Sequence, residues 1–164
     1  MKNLNKNFNS GLTLVEVLIA TSIILVFLLA FSSVHNLYLK TAFSNGEVIK
    51  ATELAEESLE VVRFLRDSSW NTNIAPLSLG TDYYLVFEGG GWQVTTTEAL
   101  VDGLFERVVT LSAVYRDASA DIVSGGGGTL DPGTLLVVSS VSWSRGEATT
   151  TKSISTYITN IFAN

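Results

Sequence analysis

Residues 10–34 read SGLTLVEVLIATSIILVFLLAFSSV, and from Leu12 onward Glu16 is the only charged residue among them. A helix rises about 1.5 Å per residue, so this stretch would be roughly 35 Å long and would cross the hydrocarbon core of a bilayer. A carboxylate within a membrane helix costs about 2.5–3.5 kcal/mol and usually marks function. Glu16 also lies near the helix start, where the helix dipole favours negative charge. The stretch therefore predicts a membrane helix whose acid is either tolerated near the headgroups or paired.

Cleavage after Gly11 would supply a partner for Glu16. The new α-amino group of Leu12 would be positive at most physiological pH values, and the helix dipole would oppose that charge. A carboxylate of the same or a neighbouring subunit could neutralise the amine. Such a pair in a low-dielectric bundle would fix the axial register of neighbouring helices.

Residues 11–16, GLTLVE, resemble the cleavage and methylation motif of type IV prepilins. In that family a dedicated peptidase cuts after the glycine, on the cytoplasmic side, and methylates the new N-terminus. The first mature residue is usually phenylalanine and is Leu12 here, while the family's glutamate corresponds to Glu16. The resemblance implies processing at Gly11 and Leu12 and an assembly role for Glu16. It also implies three partners: the prepilin peptidase, the pilus assembly machinery and other pilin subunits, contacted through their N-terminal helices.

Two other interpretations of the N-terminus stay open. A conventional secretory signal would use Lys2 and Lys6, the apolar residues 17–31 and a cut after Ser32, and would release a secreted binding module. That interpretation leaves Gly11 and Glu16 without a role. An uncut signal anchor, giving a membrane-anchored module, is the third possibility.

Composition limits the function and the compartment. The chain has 164 residues, a formal net charge of −6 and no cysteine, so disulfides and thiolate metal sites are excluded. The negative charge argues against direct nucleic-acid binding. Positive charge before the apolar stretch keeps the N-terminus cytoplasmic. We therefore expect a single-pass cytoplasmic-membrane protein with its C-terminal domain outside, and then an extracellular pilus subunit.

Downstream of the apolar stretch, helical periodicity continues. The expected regions are a leader over residues 1–11, a membrane and assembly half-helix over 12–34, an amphipathic half-helix over 35–66 and a β domain over 67–164. The acids Glu53, Glu57 and Glu60 lie opposite an apolar stripe that should pack on a sheet. The stripe consists of Ala51, Leu54, Ala55, Ser58, Leu59, Val62 and Leu65.

The remainder predicts strands. Strands 83–88 and 92–96 flank a glycine turn, 104–116 is the longest candidate, and 134–144 and 148–158 form a hairpin around Arg145-Gly146. In the longest strand, Phe105, Val109, Leu111, Ala113 and Tyr115 should share one face. Arg107 interrupts that face and should extend to water at the sheet edge. The fold class is therefore α+β, the pilin fold: a long N-terminal helix on a four- or five-stranded antiparallel sheet.

Few residues suggest other chemistry. His35 is the single histidine and has no nucleophile or metal-ligand cluster near it in sequence, so we expect neither enzymatic activity nor a cofactor. Asp117, Asp121 and Asp131 surround a glycine run and are candidate calcium ligands. Their spacing matches no EF-hand, and aspartate and glycine are ordinary turn residues.

The sequence predicts a structural subunit of a type IV pilus. Residues 57–70 resemble the end of the helix in minor pilins of the pilus-modification type. The alternative within the superfamily is a pseudopilin of a type II secretion or DNA-uptake system, which uses the same motif and helix.

Overall fold

The computed structural model describes residues 13–123 and 127–161. The chain divides into two compact units, Met1–Asn45 and Gly46–Asn164. Helix α1, Leu14–Ser68, begins in the first unit and supplies the first element of the second. The predicted leader, residues 1–11, and Leu12 lie outside the described residues.

In the first unit, α1 is exposed on all sides. Every described residue from 13 to 45 is exposed, including large apolar side chains such as Leu14, Phe27 and Phe31. A helix that is apolar all round is normally buried in a membrane or a protein core. This part of α1 therefore needs a bilayer or neighbouring helices to cover it.

In the second unit, α1 buries the predicted stripe. All seven stripe residues are buried, together with Val61, and Glu53 and Glu60 are exposed. The helix ends at Ser68 and is followed by a π-helical turn, Trp70–Ile74. The amphipathic pattern was thus sufficient to identify the face that packs on the sheet.

One antiparallel sheet completes the second unit, in the order β2-β1-β4-β6-β7, with β3 and β5 each paired to β4. The predicted α+β pilin fold is confirmed, because five strands form the continuous path. The two-residue strands β3 and β5 are too short to give a periodic signal. The strands are β1 Tyr83–Glu88, β2 Gly91–Thr95, β3 Leu100–Val101, β4 Phe105–Arg116, β5 Ile122–Val123, β6 Thr129–Arg145 and β7 Ala148–Thr159.

Glycines form the turn of the β1–β2 hairpin, where the sequence predicted it. Glu88 pairs with Gly91, and Gly89 and Gly90 form the turn with φ of 63° and 84°. A two-residue turn whose twist matches that of the two strands requires positive φ at both of its central residues. Glycine adopts positive φ without strain.

A bulge in β6 changes which β4 side chains face the core. Ala113 pairs with Leu135 but Val114 pairs with Asp131, so residues 132–134 have no partner in β4. Beyond the bulge Val114 is buried and Tyr115 only partly so, which makes the prediction of an inward Tyr115 wrong. A bulge adds residues to one strand and re-aims its neighbours, and this one accommodates Pro132, which has no N–H for the ladder.

Arg107 is buried in the centre of the sheet, so its predicted position at a solvent-exposed edge is wrong. Its strand, β4, lies between β1 and β6. Arg107 forms an ion pair with Glu57 of α1 and donates from Nη2 to the Leu85 carbonyl at 2.9 Å. Its guanidinium lies 5.4 Å from the ring centroid of Trp92. These partners replace the water that a buried charge would otherwise need.

Two core clusters show the direction of α1 along the sheet. At one end, Ala51, Leu54 and Ala55 cluster with Phe105, Val141 and Trp143. At the other, the helix residues Leu59, Val62 and Leu65 cluster with strand residues that include Val109, Leu111, Val137 and Ile158. We call these the entry end and the far end of the second unit, since α1 enters at the first. Helix α1 and β4 therefore run in the same direction.

Candidate functional site

The N-terminus of α1 is capped by Thr13. The Glu16 N–H donates to Thr13 Oγ1 at 3.3 Å, and the Val17 N–H donates to the Thr13 carbonyl at 3.1 Å. Threonine followed three residues later by glutamate is the pattern of a capping box, and a cap of this kind contributes about 1 kcal/mol. Sequence reasoning singled out Glu16 and missed Thr13, although this spacing was the signal. Gly11 and Leu12, the predicted processing site, lie outside the described residues.

Three hydroxyl groups of the apolar stretch donate to carbonyl groups of the helix itself. Thr21 and Ser22 donate to the Leu18 carbonyl at 3.0 and 2.7 Å, and Ser33 donates to the Leu29 carbonyl at 3.0 Å. By length and composition, α1 contains a segment able to cross a membrane. Glu16 is the only charged residue of this stretch, so it carries the largest cost of insertion.

His35 lies one turn after Phe31, and the two rings stack with centroids 6.4 Å apart. The described residues contain no group of three His, Cys, Asp or Glu side chains that could bind a metal ion. The contact of His35 is therefore aromatic packing on an exposed helix surface.

Two of the three candidate calcium ligands, Asp131 and Asp117, accept hydrogen bonds from different partners. Asp131 Oδ2 accepts from Arg116 Nε at 2.7 Å, and Asp131 Oδ1 accepts from the Gly133 N–H at 3.0 Å. Asp117 Oδ1 accepts from the backbone N–H groups of Ser119 and Asp121, as turn aspartates do. The hydrogen bond from Arg116 holds the pKa of the Asp131 carboxyl below its ordinary value.

Glu47 joins the start of the second unit's helix to the β6–β7 hairpin. Its carboxylate accepts from Trp143 Nε1 at 3.2 Å and from Arg145 Nη2 at 2.7 Å. The two partners lie two residues apart on β6, and each donates to a different oxygen of the Glu47 carboxylate. Sequence reasoning missed this contact, because nothing in the local pattern joins residues so far apart in the chain.

On the opposite face of the sheet, Glu106 accepts from the Tyr84 hydroxyl at 3.1 Å and from Ser142 Oγ at 3.0 Å. Burial raises the pKa of the Tyr84 phenol, and the hydrogen bond to the Glu106 carboxylate raises it further. Tyr84 therefore remains a neutral donor, and the cluster links β1, β4 and β6 without exchanging protons at physiological pH.

Comparison with known proteins gives one result for the N-terminus. A family model described as the prokaryotic N-terminal methylation motif matches residues 6–32. The match includes Gly11, Leu12 and Glu16. No curated protein and no solved structure matches the chain.

Proposed function

We propose that this type IV prepilin-like protein is a minor pilin, a structural subunit of a type IV pilus. It enters the membrane as a prepilin, is cut between Gly11 and Leu12, and polymerises through its N-terminal helix. One observation carries the proposal: the methylation motif at residues 6–32 leads into a helix that is exposed on all sides from residue 14 to residue 45. Such a helix needs a membrane first and other subunits afterwards, because its apolar surface must stay out of water.

The charges at the helix start suggest how subunits align. Processing by the prepilin peptidase creates an amine at Leu12, four residues before Glu16. Within a bundle of apolar helices either charge alone is costly, and a pair offsets much of that cost. A pair formed between neighbouring subunits would be made at one axial offset only. Glu16 would therefore set the register while the apolar surface supplies the attraction.

The second unit is the part that a pilus displays. Two ion pairs, Glu47 with Arg145 and Glu57 with Arg107, attach its sheet to α1 at two levels. Both contacts lie within the second unit, so they hold its sheet to the part of α1 that belongs to that unit. The proposed role is structural and not catalytic, with the domain outside the cytoplasm.

Two measurements test this function. The intact mass of the protein from cells should correspond to a methylated chain that begins at Leu12. Electron microscopy of cells with and without the gene should show that surface filaments change in number or length. An unaltered filament population together with a secretion or DNA-uptake defect would favour the pseudopilin alternative. A mature chain beginning at Ser33 would reject both.

A further inference from the structure

A cleft of about 240 Å³ opens at the far end of the second unit. It lies between the segment after α1 and the bulged start of β6. A dry apolar cavity of about 150 Å³ is enough to bind benzene, so the cleft has room for one aromatic ring. Its walls include Trp70, Leu77, Leu79, Leu130, Pro132 and Leu135.

The cleft combines a paired acid with exposed apolar side chains. Among the described residues that line it, Asp131 is the charged one, and its two carboxylate oxygens accept from Arg116 Nε and from the Gly133 N–H. Leu79 and Leu130, in contrast, are 51% and 50% exposed. A group that covers these two leucines removes apolar surface from water, which is favourable. The cleft is therefore suited to an apolar group and not to a cation.

Strand β7 ends beside this cleft. The Asn160 N–H donates to the Gly133 carbonyl at 2.8 Å, so the pairing of β7 with β6 continues to the residue next to Pro132 in the cleft wall. Leu135, also in the wall, pairs with the buried Ile158 of β7. Directly paired residues of neighbouring strands lie on the same face of a sheet. The cleft and the buried side of β7 are therefore on the same face.

The residues that follow β7 and Asn160 are apolar. Ile161 is 60% exposed and lies in a turn, and the sequence continues with Phe162 and Ala163. Residues 162–164 lie outside the described residues. An extended chain spans at most about 3.6 Å per residue, so the Cα of Phe162 can be no more than roughly 7 Å from that of Asn160. The aromatic ring of Phe162 is therefore within reach of the cleft.

We propose that Phe162 packs its ring into the cleft of its own chain and so holds the end of β7 against the segment after α1. A group tethered by a short segment acts at an effective concentration in about the millimolar range, which favours Phe162 over a separate molecule. The 164 residues include no cysteine, so apolar packing and not a disulfide must fasten this end of the sheet. The contact lies within one chain and does not depend on the proposed role in a pilus.

Photocrosslinking of the full chain in detergent tests the contact. The photoreactive residue p-azidophenylalanine replaces Phe162, which keeps the aromatic ring, in an equal mixture of unlabelled and ¹⁵N-labelled protein. We expect the probe to join peptides from residues 70–79 or 130–135 of the same chain, so both peptides of a crosslinked pair should carry the same isotope. The control carries the probe at Tyr157, which is 49% exposed and alternates with the buried Ile158.

Three results of this experiment would overturn the proposal. Crosslinked pairs of mixed isotope would mean that a second copy fills the cleft. Crosslinks from the probe to another segment of the chain would place Phe162 elsewhere. Cleft peptides crosslinked no more often than in the Tyr157 control would mean that Phe162 makes no contact with the cleft.

Hydrogen exchange and thermal unfolding give a second test. Phe162→Ala should lower the unfolding temperature of the detergent-solubilised chain by about 3–6 °C. It should also raise the exchange rate of the Asn160 amide about tenfold, because the end of β7 would open more often. Phe162→Leu keeps an apolar side chain and should retain most of both properties. Phe87→Ala, at a phenylalanine that is 61% exposed on the β1–β2 hairpin, should leave the exchange of Asn160 unchanged.

A substitution in the cleft wall completes this test. Leu79→Ala removes the other side of the contact, so combining it with Phe162→Ala should lower the unfolding temperature by clearly less than the sum of the two single effects. Leu79→Ala combined with Phe87→Ala should give the full sum. Additive effects in both pairs, or an Asn160 exchange rate that Phe162→Ala does not change, would reject the contact.

Discussion

Arg107 of β4 and Glu57 of α1 form an ion pair in which Arg107 is buried and the Glu57 side chain is 48% exposed. Apart from Glu57, the N–H groups of the Arg107 guanidinium have few hydrogen-bond acceptors. Its Nη2 donates to the Leu85 carbonyl, while its Nε is buried without a hydrogen-bond partner among the described residues. Glu57 is therefore the counter-charge that makes a buried cation in the sheet tolerable.

Glu57→Gln should destabilise the second unit. Removing one partner of a fully buried ion pair lowers the free energy of unfolding by about 3–5 kcal/mol. Because water reaches the half-exposed Glu57 side chain, we expect a loss of about 1–2 kcal/mol here. Thermal unfolding of the detergent-solubilised chain, followed by tryptophan fluorescence, measures the change. The control is Glu53→Gln, an exposed acid on the same helix, for which we expect a change within about 0.5 kcal/mol. Equal effects of the two substitutions would refute the role assigned to Glu57.

Gly128→Ala should destabilise the sheet for a steric reason. A Cβ at this position would lie 2.3 Å from the Arg116 carbonyl oxygen and 2.9 Å from a Val123 methyl group. A backbone oxygen within a ladder cannot move aside cheaply, so we expect a loss of about 1–3 kcal/mol. Gly127→Ala is the matched control, because nothing lies within 4 Å of its added Cβ. Chemical denaturation of both variants tests this, and unchanged stability of Gly128→Ala would contradict the packing at the start of β6.

The Asp131–Arg116 pair should make stability depend on acid pH. The pKa of Asp131 is lowered in the folded state, so its contribution is fully present above the ordinary Asp pKa of about 3.9 and is lost as pH falls through the lower folded value. Since both side chains are partly exposed, we expect about 1 kcal/mol or less. The measurement is the unfolding temperature between pH 2 and pH 7 for the wild type and Asp131→Asn. The control Asp121→Asn, at an exposed position in the same segment, should show the same dependence of unfolding temperature on pH as the wild type. If Asp131→Asn also showed the wild-type dependence, the Asp131–Arg116 pair would not be its cause.

Gly11→Val should leave the precursor in the membrane. A branched side chain next to the scissile bond would obstruct the prepilin peptidase, so the intact mass should keep residues 1–11. The control is Asn9→Val, which adds a branched side chain two residues earlier. A Gly11→Val chain that still yields a mature N-terminus at Leu12 would show that this glycine is not required for processing.

Glu16→Gln should permit membrane insertion and cleavage but impair entry into filaments. The substitution keeps size and hydrogen bonding and removes the charge, so the α-amino group of Leu12 would lose its partner in a dry bundle. Glu16→Asp should be intermediate, since its carboxylate is one methylene shorter. The measurement is the ratio of this subunit in sheared filaments to that in the membrane.

Thr13→Ala separates this assembly role from helix capping. It removes the hydrogen bond from the Glu16 N–H to Thr13 Oγ1, worth about 1 kcal/mol, and leaves the Glu16 charge in place. We expect near-normal incorporation of Thr13→Ala. If both variants lost incorporation equally, Glu16 would act only through the structure of the helix start.

The sequence by itself determined the features that depend on a few neighbouring residues. The apolar stretch that begins at Leu12 implied a membrane helix, and the spacing of Ala51, Leu54 and Leu65 identified the face of α1 that packs on the sheet. Gly89 and Gly90 located the first hairpin, because glycine alone adopts a positive φ freely. Helical period, strand alternation and turn chemistry are local properties, and the α+β fold follows from them.

Only the tertiary structure decided which distant residues meet. Alternation along β4 showed that Arg107 interrupts an apolar face, but not that β4 is central or that Glu57 lies above it. Local pattern likewise missed the contact of Glu47 with Trp143 and the bulge that turns Val114 inward. The spacing of apolar residues indicates whether a segment forms a helix or a strand and which of its faces is buried. The residues that contact a charged group or an aromatic ring across the fold depend on strand order and register.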